Sequence, residues 1–422
     1  METLRGKVRI AVTKRILFLI ILLALPLLSG CWSRREVNDV AFVSGIGIDQ
    51  MEDGRIRLAL QLAIPRMLGS SGQGGTSSSG EKDIAAKAVW IVSESGESIM
   101  DAYRKLQEKL QREIFFAHNR IICIGESMAR QGLSPVLDFF VRYQESRMQS
   151  YLIFTRGEAL DLLYYLPKFE KIPAEVMRES EKTGTGIGAK MRDFAEMLLA
   201  DDSQPVADEM DVVASNVQGS EETAKRVPPS DIEGSIALKG LAVFKDDKLV
   251  GWIDRKEARG VLWFHNKTKK GSAYTLEIPK EKGGGKVSLE MISSKTELTP
   301  FLKEGEVGME VKAYLKGDLY ESSSSLDLTN PESIRLIENL LAEDVENRLR
   351  LTLKKVQKDY RSDIIGFGAA VHRKYPRQWQ NGLNERWDQL FTEIPVTIHS
   401  KMTVRNTGLT GSSLKQKEEE NK

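Results

Sequence analysis

The amino terminus constrains this chain more than any other part of the sequence. Five basic residues between positions 5 and 15 precede an unbroken apolar run, residues 16–28, which leads into Leu-Ser-Gly-Cys31. The run is 13 residues long, whereas a helix needs about 20 apolar residues to span a bilayer core. A basic region followed by a short apolar stretch and small residues is typical of an export signal. The sequence therefore predicts a signal peptide over residues 1–30.

Cys31 is the predicted site of lipid attachment, with cleavage between Gly30 and Cys31. Leu-Ser-Gly-Cys at this position is the pattern of a bacterial lipobox, in which the thiol receives S-diacylglycerol. An N-acyl chain on the new amino terminus adds further hydrocarbon, and a protein with two or more chains is anchored far more stably than one with a single chain. The alternative, a short core helix before a buried cysteine, does not explain the basic flank. We therefore expect an exported body that is tethered by lipid to the outer face of a membrane.

Composition excludes several classes of protein. Lys and Arg total 61 and Asp and Glu total 60 among 422 residues, which leaves no basic excess for binding nucleic acid. Hydrophobic residues make up 41% of the chain, enough for packed domains and too many for a disordered chain. Two cysteines cannot form a disulfide scaffold, and four scattered histidines offer little for a metal site. We therefore predict a folded protein with no metal, no cofactor and no nucleic-acid partner.

Hydrophobic periodicity predicts an α+β protein: a mixed α/β multi-domain chain with antiparallel-rich sheets and a long helix in its C-terminal half. In residues 31–200 strands and helices alternate, as in an α/β domain. Residues 201–235 are acidic and polar with three prolines, and are predicted to be a linker or irregular segment, or part of a further domain. Residues 236–405 form the predicted C-terminal α+β domain. The charged residues 406–422 are predicted to be a disordered tail.

Two segments of the C-terminal half have the clearest patterns. From Val307 to Leu315 every second residue is apolar, which predicts a strand with one buried and one solvated face. A long helix is predicted to begin near Asn330-Pro331, because Pro is favoured in a first helical turn. In the N-terminal half, residues 69–80 consist of Gly, Ser, Gln and Thr, and this composition predicts a flexible loop.

Ser127 is the strongest candidate for catalysis. It lies in Gly125-Glu-Ser-Met-Ala129, after a short apolar strand and before a helical pattern, as the nucleophile of a serine hydrolase does. His265, His372 or His399 would have to act as its base. The motif has Ala where a nucleophile elbow has its last Gly, and no succession of parallel βαβ units follows. A capped turn explains the same residues, so the hydrolase is the weaker interpretation.

Two other motifs carry little chemistry. Gly184–Lys190 is rich in glycine but lacks the Gly-Lys-Ser/Thr ending of a phosphate loop. A flexible turn before a helix around Met191–Leu199 is the favoured interpretation. His118, just before a predicted strand, is interpreted as a satisfied buried histidine.

Arg142, Glu145 and Arg147 form a charged cluster with a candidate interface role. They follow the aromatic pair Phe139-Phe140, and their charges would be costly to leave unpaired if a partner or a domain joint covered them. An interface patch and a structural ion-pair network both account for the cluster, and the network is the commoner arrangement. The sequence leaves both open.

Several segments of the chain carry a family resemblance. The longest is residues 30–49, Gly-Cys-Trp-Ser-Arg-Arg-Glu-Val-Asn-Asp-Val-Ala-Phe-Val-Ser-Gly-Ile-Gly-Ile-Asp. The others are Ala117-His-Asn-Arg120 with Gly125-Glu126 after it, Asp138-Phe-Phe-Val-Arg-Tyr-Gln-Glu-Ser-Arg147, Leu241-Ala-Val-Phe-Lys-Asp-Asp-Lys-Leu-Val-Gly251, Ser362-Asp-Ile-Ile-Gly-Phe-Gly368 and Tyr375-Pro-Arg-Gln-Trp379. In these segments the chain resembles the Ger(x)C family, the lipoprotein C subunits of GerA-type spore germinant receptors. Residues 69–80 and 201–231 show no clear match.

The resemblance implies a lipid-anchored, non-enzymatic subunit of a nutrient germinant receptor in the spore inner membrane. Such a subunit assembles with an A subunit and a polytopic B subunit, in a complex that responds to germinants such as amino acids or sugars. The resemblance also implies a mixed α/β protein of about three domains. Two alternatives stay open: a solute-binding lipoprotein of a transporter and, less favoured, the serine hydrolase at Ser127.

Overall fold

The computed structural model describes most of the chain between residues 37 and 408. The described residues are 16, 18, 37–65, 88–143, 145–165, 170–183, 186–214, 234–268 and 271–408. The predicted lipid-attachment residue Cys31, the predicted loop 69–80 and most of the predicted tail therefore lie outside the described residues. Among the described residues, no helix is both long enough and apolar enough to cross a membrane.

The described residues form a nine-stranded sheet and a four-stranded sheet. The strands of the large sheet are β1 (Val40–Gln50), β2 (Ile56–Ala63), β3 (Val89–Gly96), β4 (Glu113–Phe115), β5 (Ile121–Gly125), β6 (Tyr151–Thr155), β7 (Val206–Ala214), β8 (Gly234–Lys245) and β9 (Lys248–Asp254). Those of the small sheet are β10 (Ser272–Glu277), β11 (Lys286–Lys303), β12 (Glu306–Ser322) and β13 (Val396–Asn406). Helices and strands are mixed throughout, which confirms the predicted α+β class.

Helices connect the strands of both sheets. In the N-terminal part they are α1 (Ile99–Lys109), α2 (Glu126–Gln131), α3 (Ser134–Arg142), α4 (Ala159–Tyr164), α5 (Pro173–Thr183) and α6 (Met191–Leu199). In the C-terminal part they are α7 (Arg255–Phe264), α8 (Pro331–Lys354), α9 (Phe367–Lys374), α10 (Pro376–Gln378) and α11 (Asn384–Glu393). Short π-helical segments, Lys355–Asp359 and Trp379–Leu383, follow α8 and α10.

Parallel strands form the centre of the large sheet. Its order is β3-β2-β1-β5-β6-β7-β8-β9, with β4 beside β1. The pairs β1–β5, β5–β6 and β6–β7 are parallel, and the other pairs in that order are antiparallel. β5 is buried along its whole length, as expected for a central parallel strand that is apolar on both faces. The parallel strands therefore have a common amino edge and a common carboxyl edge, and both edges carry candidate site residues.

The small sheet confirms the two clearest sequence patterns of the C-terminal half. In β12 the apolar residues from Val307 to Leu315 are buried at every second position. α8 begins after Asn330, whose side chain accepts a hydrogen bond from Glu332 N at 2.8 Å. Two carboxylates of α8 also bind the edge strand, since Ser400 N donates to Glu346 Oε1 and Val404 N donates to Glu338 Oε1, each at 2.8 Å. These contacts occupy backbone donors that an edge strand otherwise exposes.

Two expectations differ from the structure. Residues 201–235 are not irregular throughout, because β7 lies within them and pairs with β6 and β8. β8 and β9 belong to the same large sheet, so a boundary at residue 236 falls inside that sheet. The acidic composition of this segment does not predict β7, because Asp208 and Glu209 are buried in the strand and bind specific partners there. The small sheet is antiparallel-rich as predicted, with β13 parallel to β12.

Candidate functional site

The predicted interface patch lies at the end of α3 and in the turn that follows it. Arg142 Nε is 2.7 Å from Asp138 Oδ1, one helical turn earlier, and both side chains are mostly exposed. Glu145 is half-buried and Arg147 is exposed. The described ion pair of Arg142 is thus local and solvated, and a surface pair of this kind contributes about 0–1 kcal/mol to stability. The interface role of Arg142, Glu145 and Arg147 stays a prediction, beside the alternative of a structural ion-pair network.

Aromatic side chains support the same turn from beneath. The ring of Tyr143 stacks on Phe139, with centroids 5.3 Å apart and planes 11° apart, and both rings are half-buried. The hydroxyls of Tyr143 and Tyr103 are 3.0 Å apart. Burial, the hydrogen bond to Tyr103 and the nearby charge of Glu145 raise the pKa of Tyr143. We call Phe139, Tyr143, Arg142 and Arg147 the α3 surface.

His118 differs from the expectation of a buried histidine. Its side chain is exposed at the amino edge of the large sheet, in a short 3-10 turn between β4 and β5. The imidazole packs against Phe42 and Phe115, with centroids 5.3 and 6.1 Å away. The 3-10 turn moves this residue out of the strand pattern, which is why the apolar residues around it do not bury it.

Ser127 lies at the carboxyl edge, as the second residue of α2. Its hydroxyl donates to Gln50 O at 3.2 Å. Of the histidines proposed as its base, His265 binds Ile364 O through Nε2, His372 binds Asp202 through Nδ1, and His399 is exposed on β13. Among the described hydrogen bonds, none joins Ser127 to a histidine. The structure therefore does not assemble the triad that a serine hydrolase requires.

The glycine-rich loop before α6 binds a carboxylate of the chain itself. Ile187 N and Gly188 N donate to Asp208 of β7 at 2.8 and 2.6 Å. Gly186 has no room for a side chain, because a Cβ there would lie 2.1 Å from Asp208 Oδ1. The helix predicted at Met191–Leu199 is confirmed. The loop is fixed by Asp208, and its backbone donors are used internally where a phosphate loop would offer them to a ligand.

A second acid and a lysine also contact the loop that Asp208 binds. Glu181 is almost fully buried, and its carboxyl group interacts with that of Asp208. Burial raises the pKa of Asp208, and the hydrogen bonds it accepts oppose that shift. Lys267 Nζ donates to Ile187 O at 2.7 Å from the other side. A cavity of about 440 Å³ lies here, with Tyr151, Glu181 and Lys267 among its lining residues.

Asp49 organises the carboxyl edge of the large sheet. It ends the apolar part of β1, and its carboxylate accepts hydrogen bonds from Ala159 N at 2.6 Å and Leu160 N at 3.3 Å. Arg57 Nη2 is 2.9 Å from the same carboxylate and 2.7 Å from Glu158. Burial raises the pKa of Asp49. Asp49 therefore supplies the acceptor that the first turn of α4 needs.

Asp363 has the same role in the C-terminal part. Its carboxylate accepts hydrogen bonds from three backbone N–H groups, at Gly366, Phe367 and Gly368, over 2.7–3.1 Å. The indole Nε1 of Trp387 is a fourth donor at 3.0 Å. Burial raises the pKa of Asp363 to about 6. The residue also joins the two parts of the chain, since its carbonyl accepts from Gln204 N at 3.0 Å.

A group with metal-ligating side chains lies beside Asp363. The ligand atoms of Asp201, Asp202 and His372 are within 4.8 Å of one another. The group has internal partners, because His372 Nδ1 is 2.8 Å from Asp202 Oδ2 and Trp379 Nε1 donates to Asp201 Oδ2 at 3.2 Å. These contacts attach the segment after α6 to α9 and the π-helical segment that follows.

Two family models match the chain and together cover most of it. The spore germination protein N-terminal domain matches residues 33–212, and the spore germination B3/GerAC-like C-terminal domain matches residues 239–408. The chain belongs to the GerAC-like spore germination family. Spore germination protein KC of Bacillus subtilis (strain 168) is 29% identical to this member of the family over 414 residues, which are 96% of this chain and 98% of the relative.

Further GerAC-like proteins match over nearly their full length. Spore germination protein B3 of Bacillus subtilis (strain 168) is 22% identical, with 93% of this chain and 98% of the relative covered. The crystal structure of the GerBC protein aligns with a TM-score of 0.54 at 18% identity, and covers 87% of this chain and 98% of that chain. At this identity the structural likeness shows a shared fold.

Two buried acids of this GerAC-like chain have a role that sequence reasoning missed. Asp49 and Asp363 lie within segments that carried the resemblance, but no function was assigned to them from the pattern alone. A local signal exists for Asp363, because an Asp before a Gly-x-Gly turn commonly accepts the N–H groups of that turn. Asp49 has no comparable signal, since the backbone N–H group that donates to it lies 110 residues later in the chain.

Proposed function

We propose that this GerAC-like protein is the lipid-anchored C subunit of a nutrient germinant receptor, and that spore germination through that receptor requires it. It acts by docking to the A and B membrane subunits and performs no catalytic step. Its body lies on the outer face of the spore inner membrane, held by the lipid on Cys31. Family membership supports the assignment to germination, and the names of the relatives agree with it.

The α3 surface is the observation that carries the docking proposal. It joins two half-buried stacked rings, Phe139 and Tyr143, to two exposed arginines, Arg142 and Arg147. Aromatic residues and Arg are enriched in the energetically important parts of protein interfaces. The two motifs that the sequence suggested for catalysis or phosphate binding are occupied within the protein. Ser127 donates to Gln50 O, and the Gly186–Gly188 loop binds Asp208.

The alternative of a transporter's solute-binding lipoprotein has less support. That class requires two lobes of repeated βαβ units around a cleft. In the described residues the small sheet has antiparallel neighbours, except for the β12–β13 pair. No specific observation favours this function over docking.

Co-purification from the spore inner membrane tests the docking proposal. Arg142→Ala should reduce the amount of A and B subunit recovered with the tagged chain, because it removes an exposed cation of the α3 surface. Arg192→Ala is a matched control, since Arg192 also forms an exposed i,i+4 pair, with Glu196 on α6. Both variants should keep the wild-type melting temperature. Wild-type recovery of the partners with Arg142→Ala and Arg147→Ala would exclude the α3 surface as the docking site.

A further inference from the structure

Three rings form a small cluster at the amino edge of the large sheet. Phe42 lies near the start of β1, Phe115 ends β4, and His118 is in the following turn. Their centroids are 5.3–6.1 Å apart. Phe42 and Phe115 are half-buried, and His118 is exposed. We call these three residues the amino-edge cluster.

The length of the chain before β1 limits which part of the protein is near an anchored Cys31. Val37 is six positions after Cys31, and there the turn Val37–Asp39 leads into β1. Six extended residues reach at most about 22 Å. β1 itself has eleven residues, and a strand of that length extends about 36 Å. A lipid on Cys31 therefore keeps the amino end of β1 near the bilayer, and the tether sets no such limit on the carboxyl end.

The chemistry of the amino-edge cluster suits the polar boundary of a bilayer. Phenylalanine rings bury favourably at the boundary of headgroups and acyl chains, and the imidazole of His118 adds a polar edge that can stay among the headgroups. Arg112 is exposed three residues before Phe115, and an arginine can bury its stem in apolar surroundings while its charge stays at phosphate level. The cluster supplies the rings, and Arg112 lies just before its strand in the sequence.

We propose that the amino-edge cluster contacts the lipid headgroup region of the bilayer that holds the anchor. This inference rests on the proposed lipid attachment at Cys31. The contact adds a second, weaker attachment to the lipid and fixes the orientation of the body. The amino edge faces the bilayer, and the carboxyl edge with Asp49 and Ser127 faces away. The α3 surface, linked to the cluster through the adjacent Phe116 and Tyr143 rings, is then held close to the membrane.

Spin labels on the full-length lipidated protein in vesicles of phosphatidylethanolamine and phosphatidylglycerol test the contact. A nitroxide is attached at His118→Cys or, as a control, at Tyr320→Cys, a position 70% exposed on β12. Lipid occupies Cys31 and Cys123 is fully buried, so each variant has one new reactive thiol. The ratio of collisions with oxygen to collisions with a water-soluble nickel chelate should be higher at 118 than at 320. The difference should vanish for Cys31→Ser versions in solution.

Flotation of the same samples separates this inference from the proposed anchor. Protein that floats with the vesicles but gives equal ratios at both positions would retain the anchor and overturn the bilayer contact. Protein that does not float would overturn both. A label at 118 that becomes shielded only after A and B subunits are added to the vesicles would identify the cluster as a protein-binding surface, which also overturns the contact with lipid.

Discussion

The indole nitrogen of Trp387 donates a hydrogen bond to the carboxylate of Asp363 at 3.0 Å, and this contact ties α11 to the turn before α9. Three backbone N–H groups of that turn bind the same carboxylate. A single buried acid therefore satisfies four donors that come from two separate elements. Such a group is sensitive to removal, because unsatisfied buried donors cost about 1–3 kcal/mol each.

Asp363→Ala should lower the free energy of unfolding by about 3–5 kcal/mol, since it leaves several buried donors without an acceptor. Asp327→Ala is the matched control. Asp327 accepts hydrogen bonds from the N–H and hydroxyl of Thr329, but in an exposed loop. The control should unfold close to the wild-type midpoint, since surface substitutions of this kind have little effect. Urea unfolding of the soluble body measures both, and equal effects would contradict the role assigned to Asp363.

The pH dependence of stability provides a second test of Asp363. Burial raises its folded pKa to about 6 from an ordinary value of 3.8. The folded state therefore binds the proton more tightly, and the stability gained from that proton is present below pH 4 and lost as pH rises to about 6. The full difference is about 3 kcal/mol, at 1.36 kcal/mol per pKa unit. Between pH 4 and pH 6.5, the stability of the wild type should decline relative to Asp363→Asn. Parallel curves would show that the carboxyl does not titrate in this range.

Gly186 and Gly157 offer a matched pair for testing the loop around Asp208. A Cβ at position 186 would lie 2.1 Å from Asp208 Oδ1, whereas a Cβ at 157 would meet no heavy atom within 4 Å. Gly186→Ala should cost about 1–3 kcal/mol through overpacking. Gly157→Ala should be neutral or slightly stabilising. Thermal unfolding distinguishes them, and a neutral Gly186→Ala would mean that Asp208 does not hold this loop.

Ser127→Ala should leave germination at the wild-type rate. The hydroxyl makes one hydrogen bond at the surface, to Gln50 O, and its loss should cost no more than about 1 kcal/mol. Germination of spores that carry the variant is the measurement, with immunoblotting to confirm normal amounts of protein. Loss of germination with normal amounts of folded protein would reopen the hydrolase interpretation.

Local periodicity explains which parts of the fold could be predicted from the sequence. The alternation in β12 and the apolar side of α8 depend on residues two to four positions apart, and both patterns appear in the structure. β7 could not be found in this way. Its acids Asp208 and Glu209 look like solvated residues, but they bind Ile187, Gly188 and Arg156 from distant parts of the chain.

In the candidate site too, local contacts can be predicted from the sequence and long-range contacts cannot. The Asp138–Arg142 pair has i,i+4 spacing and could be deduced from the sequence once α3 is known. The stack of Tyr143 on Phe139 and the contact of Tyr143 with Tyr103 from α1 depend on tertiary packing, so no local pattern indicates them. The lipid on Cys31 and the limits of the signal peptide and of the tail stay predictions.

The lipid on Cys31 is central to the account, and one measurement tests it most directly. Spores carrying Cys31→Ala should have little of the chain in the inner-membrane fraction, no labelled fatty acid on it, and reduced germination through this receptor. Cys123→Ala is the control, because the Cys123 thiol is fully buried and faces Met177. That variant should stay in the membrane fraction with its label. Labelled fatty acid on the Cys31→Ala chain, or its full retention in the membrane, would contradict the anchor.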